Sequence, residues 1–74
     1  MYSNPLTQFT IETEQEDDGR WIAEVPEIPG AMVYGQSQAE AIALVQALAL
    51  RAIADKLEHD EINLGLTSLT FVAA

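Results

Sequence analysis

Glu12 and Glu24 are the first residues of this chain whose types and spacing could do chemistry, because they sit in neighbouring extended runs joined by a short turn. Two carboxylates perform general acid–base work when they converge in a pocket that separates their proton affinities. Glu12 falls opposite Phe9 and Ile11, and Glu24 opposite Trp21, Ala23 and Val25, so a solvated outer face with Arg20 nearby is expected. A second group, Glu58-His59-Asp60-Glu61, has residue types that ligate Mg²⁺ or Zn²⁺. His59 is the single histidine of a chain without cysteine, and zinc centres need several nitrogen or sulfur ligands. An acidic run after a helical pattern is better read as a polar exit from the core. Ser37 has no base within reach, since His59 lies about six helical turns away. Gly19, Gly30, Gly35 and Gly65 form no phosphate-cradling motif, and their spacing suits turns. Trp21 fits a core ring better than a ligand-stacking platform. The reading is therefore of a protein that is not an enzyme, with no catalytic residue, no metal and no cofactor, and with the residues of any partner interface unassigned.

These positions depend on a few elements. From Leu6 to Glu14, Phe9, Ile11 and Thr13 share one face and Gln8, Thr10, Glu12 and Glu14 the other, the period of a half-buried strand. Glu16-Asp17-Asp18-Gly19 then predicts a tight hairpin, because Asp and Gly tolerate the positive φ that such turns require. The return strand from Arg20 to Val25 sets Trp21, Ala23 and Val25 against Arg20, Ile22 and Glu24. Pro26-Glu27-Ile28-Pro29-Gly30 removes two backbone donors and ends in a Pro-Gly turn, so a rigid loop or bulge is expected. Ala31 to Tyr34 is a short third strand ending at Gly35.

Ser37-Gln38-Ala39-Glu40 has the form of a capping box and opens a helix running to about Glu58. Ile42, Val45, Ala49, Ile53 and Leu57 supply the stripe that packs on a sheet. Leu44, Leu48 and Leu50 widen the apolar region, which predicts a helix nearly encircled in an oligomer or a subunit contact on its flank. Arg51 and Lys56 lie in the last two turns, where positive charge complements the helix dipole. In the tail from Glu61 to Ala74, Leu69, Phe71 and Ala73 alternate with Ser68, Thr70 and Val72 as a final strand, its start blurred by Leu64, Gly65 and Leu66. The predicted fold is α+β, in the order β-β-β-α-β, an antiparallel-rich sheet with one helix packed on one face.

Seventy-four residues make one domain, spanning 1–74. A chain of this size buries only about 60% of the surface its unfolded form exposes. With disulfides and thiolate metal sites excluded, self-association as a dimer or tetramer is the expected staple. The apolar stretch from Ala39 to Ala54 falls short of the ~20 residues a membrane span needs, and Met1 to Pro5 lacks the basic and apolar regions of a secretory signal, so a cytoplasmic location is expected. Twelve acidic residues against three basic give a net charge of −9. That balance argues against direct nucleic-acid binding, which needs cations to neutralise phosphates, and favours encounter with a basic partner.

The hairpin Asp17-Asp18-Gly19-Arg20-Trp21, the segment Glu24-Val25-Pro26-Glu27-Ile28-Pro29-Gly30, the step Tyr34-Gly35-Gln36-Ser37 and the helix start Glu40-Ala41 together resemble the HicB antitoxin family. The likeness spans roughly Phe9 to Leu57; no single motif is specific, and the order and spacing carry it. It implies a partial RNase H-like fold without the catalytic carboxylates of RNase H enzymes. It also implies an antitoxin of a type II toxin-antitoxin system that binds HicA, a small basic ribonuclease, and blocks its active site. Pro26, Pro29 and Gly30 correspond to the family's Pro-x-x-Pro-Gly and are read as scaffold. Many members carry a C-terminal helix-turn-helix or ribbon-helix-helix domain; this sequence ends at Ala74 without that pattern, so a stand-alone form without operator binding is expected. The alternative expectation is an orphan oligomeric interaction or ligand-binding module without a toxin.

Overall fold

Side-chain alternation along the first strand decides which face of the sheet is covered. The computed structural model describes residues 8–59 and 69–74. Within these, β1 (Gln8–Gln15), β2 (Trp21–Glu24), β3 (Met32–Gly35), α1 (Gln38–Glu58) and β4 (Thr70–Ala73) follow one another in the order β-β-β-α-β. The fold is α+β, with the helix packed against a four-stranded mixed sheet of strand order β3-β2-β1-β4. β1 and β2 pair antiparallel, as do β2 and β3, whereas β4 lies parallel to β1 on its other side. Leu6 and Thr7, expected to open the first strand, and the tail from Glu61 to Ser68 lie outside the described residues.

The hairpin between β1 and β2 closes over Asp17-Asp18-Gly19, with the Gly19 N–H donating to the Glu16 carbonyl at 2.9 Å and Gly19 at φ 91°. The Asp18 carboxylate accepts the Arg20 N–H at 3.0 Å and pairs with the Arg20 guanidinium at 2.8 Å, so the aspartate is a turn residue as its position suggested. Between β2 and β3 the backbone makes two successive turns. The Ile28 N–H donates to the Val25 carbonyl, and the Ala31 N–H donates to the Ile28 carbonyl, both at 3.0 Å. Pro26 and Pro29 each occupy the second position of a turn, where a fixed φ is wanted and no donor is missed. Gly30 follows at φ 86°, the conformation that a type II turn demands after proline. This arrangement starts β3 at Met32 rather than at Ala31, and it drives Ile28 into the core.

The core lies between the sheet and α1. Phe9 and Ile11 from β1, Ala23, Val25, Ile28 and Ala31 from β2 and its loop, and Ala41, Val45, Ala49 and Ile53 from α1 are buried together. Three alanines on two facing elements let helix and sheet approach closely, and among the described residues the largest fully buried side chains are Val25 and Val45. Ile42 and Leu57, expected within the helix stripe, are half-buried at its margin, and Ala41 joins Val45, Ala49 and Ile53 in the buried row instead. Trp21 is likewise half-buried and packs on the core from the sheet. Phe9 and Phe71 pair across β1 and β4 with ring centroids 6.0 Å apart.

The capping box forms at the head of α1 with one shift. The Ser37 hydroxyl accepts the Glu40 N–H at 3.1 Å, while the Glu40 carboxylate accepts the Gln36 N–H at 2.8 Å, one residue before the cap. Gln38 then donates to the Thr13 hydroxyl at 3.0 Å, tying the helix start to β1. Among the described residues, no helix is long and apolar enough to cross a membrane.

Candidate functional site

The face of the sheet turned away from α1 is the surface on which the acidic residues meet. Register places Glu12 of β1 directly opposite Glu24 of β2, and Glu14 opposite Ile22. On the next strand Ile22 faces Tyr34 and Glu24 faces Met32. Glu12, Glu14 and Glu24 are exposed and line a shallow depression of about 360 Å³ with Ile22 and Thr13. A second depression of about 320 Å³ continues from Glu14 toward the hairpin tip, lined by Glu16, Asp17, Asp18 and Arg20 among others. Beside this acidic track stand three exposed apolar side chains, Met32, Tyr34 and Val72, at 49%, 44% and 40% exposure.

The two glutamates singled out from the sequence are thus brought together, but not in an enclosed site. Directly opposite positions on an antiparallel pair hold their Cβ atoms about 4.5–5.5 Å apart, and like charges there are mutually destabilising. Arg20, expected near them, is engaged elsewhere: it pairs with Asp18, and its guanidinium stacks 4.4 Å above the Tyr34 ring. The Arg20 N–H, ahead of the guanidinium contact, holds the Asp18 carboxyl below its ordinary value.

Ser37 is used as a helix cap and lies at the opposite end of α1 from His59. The His59 ring Nδ1 sits 2.8 Å from the Asp55 carbonyl and 3.3 Å from the Asp55 carboxylate, one helical turn back. Asp60 and Glu61 lie outside the described residues. Among the described residues no group of three or more His, Cys, Asp or Glu is arranged to hold a metal ion. Gly19 and Gly30 are turn glycines, but Gly35 is not. It lies within β3 opposite Trp21, and a Cβ on it would meet the Ala41 backbone nitrogen at 2.6 Å. Gly65 is outside the described residues.

Two residues of this region escaped the sequence reading. Glu27 reaches from the loop to β1, where its carboxylate accepts the Thr10 N–H through both oxygens at 3.0 and 3.1 Å. Partial desolvation is the largest single influence and opposes its ionisation, but the hydrogen bonds from Thr10 and from the loop's own backbone at Glu27 together hold the carboxyl below its ordinary 4.5. Ile28 is the other, buried at 5% exposure. Its signal was an apolar residue framed by two prolines, which a loop reading sets aside. The exposure of Met32 and Tyr34 was available from alternation, since Val33 between them faces the core. Compared with family models, curated proteins and solved structures, the chain matches none.

Proposed function

We propose that this chain is a cytoplasmic HicB-like antitoxin that acts by binding, without a catalytic step, and neutralises a small basic HicA-type ribonuclease through the open acidic face of its sheet. The observation that carries this reading is the pairing of Glu12 with Glu24 on a face that nothing covers among the described residues. Sheets gain no stability from like charges directly opposite one another. Side chains that break a local rule without structural compensation mark surfaces kept for a partner. Exposed Met32 and Tyr34, with Arg20 stacked on the tyrosine, add the residue types that enrich protein interfaces. A ribonuclease binds its substrate's phosphates with cations, so an array of carboxylates competes for the same groups and steers the encounter. The net charge of −9 agrees with a basic partner and opposes direct contact with nucleic acid.

The test is titration of the purified chain into a purified small basic HicA-type ribonuclease, with cleavage of RNA followed at low salt. Stoichiometric loss of cleavage is expected. Undiminished cleavage at saturating chain contradicts the reading. A second reading, an orphan oligomeric module without a toxin, draws on Leu44 and Leu50, which stay 44% and 48% exposed on α1.

A further inference from the structure

We infer that the outward face of α1 is the contact between two copies of this chain, paired antiparallel about a two-fold axis near Ala47. The face combines exposed Leu44 and Leu50 with exposed Ala43, Ala47 and Ala54. At 3.6 residues per turn the two leucines stand about 60° to either side of Ala47, so the alanine lies at the centre of the apolar strip and the leucines form its flanks. An antiparallel partner centred on Ala47 sets Leu44 of one copy level with Leu50 of the other, twice over. Small residues at the centre let the helix axes approach to the lower end of the 8–10 Å range usual for packed helices.

Charge selects the occupant. Arg51 is exposed on this face, and it has no ion-pair partner among the described residues of a chain with twelve acids. Glu40 is exposed at the other end of the same face, with one carboxylate oxygen given to the Gln36 N–H. The two-fold arrangement brings Arg51 within about 4.5 Å, measured along the helix axis, of Glu40 on the second copy. The face is therefore complementary to itself in both shape and sign. The outer sheet face is not: two copies meeting there would set Glu12, Glu14 and Glu24 against the same carboxylates. Because α1 and the acidic face lie on opposite sides of the sheet, a dimer through α1 leaves both acidic faces open. The inference holds whether or not a toxin exists.

The absence of cysteine makes the test direct. Each of Ala47→Cys, Ala54→Cys and Met32→Cys is introduced into the full chain and mildly oxidised, and the mass of the unmodified chain is measured by light scattering at micromolar concentration. A disulfide needs Cα atoms about 4.4–6.8 Å apart, and the axis near Ala47 separates the two copies of position 54 by about 21 Å along the helix. The expected results are a dimeric mass, rapid crosslinking of Ala47→Cys, and little of the other two. Leu50→Glu, at an exposed position, raises the dimer dissociation constant by about tenfold or more. A monomeric mass overturns the inference, as does a dimer indifferent to Leu50→Glu. Crosslinking of Met32→Cys in place of Ala47→Cys does the same, and Ala54→Cys reacting as readily as Ala47→Cys rules out the antiparallel pairing.

Discussion

Glu27 shows how one side chain completes a sheet. β1 pairs with β2 only from Glu12 onward, and beyond Glu24 the chain turns away into the Pro26–Gly30 loop. The Thr10 N–H is met by the Glu27 carboxylate instead of by a strand. Since the folded-state proton affinity is depressed, the unfolded chain takes up the proton first on acidification. The contribution of Glu27 is present in full above about pH 4.5 and is lost as pH falls through the lower folded value. Glu27→Gln is predicted to lower stability at pH 7 by about 0.5–1 kcal/mol, a modest figure because the group is exposed. In urea melts at pH 7 and pH 3, the gap between wild type and variant narrows at the lower pH; an equal gap at both contradicts the assignment. The sequence could not disclose this bond. Seventeen residues separate Glu27 from Thr10, and a charged residue between a proline and an isoleucine reads as loop decoration.

At the scale of elements, what was legible followed from period and what was not followed from distance. Phe9, Ile11 and Thr13 on one side and Glu12 on the other came from a two-residue alternation, and β1 and β2 keep the faces their patterns assigned. The helix limits came from Ser37 and from the run of helix formers to Glu58. The partner of β4 did not, because four residues of alternating pattern specify a face but not an edge, and a parallel neighbour is reached only through a crossover. Gly35 ends β3 as expected, but what the position requires is space for Ala41 on α1 rather than the backbone freedom of a turn. Gly35→Ala is predicted to destabilise by about 1–3 kcal/mol, as overpacking against an immovable backbone does. For a domain of this size that lowers the melting temperature by roughly 4–8 °C per kcal/mol. An unchanged melting curve would mean that β3 and α1 are not locked at this point.

For the whole molecule, the two open surfaces separate by charge. The sheet face is predominantly acidic, its Arg20 already paired with Asp18, and suits a basic partner; the helix face offers Glu40 and Arg51 and suits a second copy. Each copy bears −9, so association of two copies works against net repulsion that salt screens, whereas binding of a cationic partner is weakened by the same screening. Opposite salt responses of self-association and partner binding are therefore built into the charge distribution. The thin core, in which Val25 and Val45 are the largest side chains fully buried among the described residues, makes added burial in an assembly valuable to a chain of this length.

The most direct measurement is calorimetric binding of a small basic HicA-type ribonuclease to the wild-type chain and to the double variant Glu12→Gln, Glu24→Gln, at two salt concentrations and beside thermal melts of both chains. The predicted result is a double variant that is more stable, by about 0.2–1 kcal/mol from the relieved cross-strand repulsion, yet binds at least about tenfold more weakly and with a shallower salt dependence. Binding unchanged by the double variant would contradict the claim that the acidic face of the sheet is the partner's site.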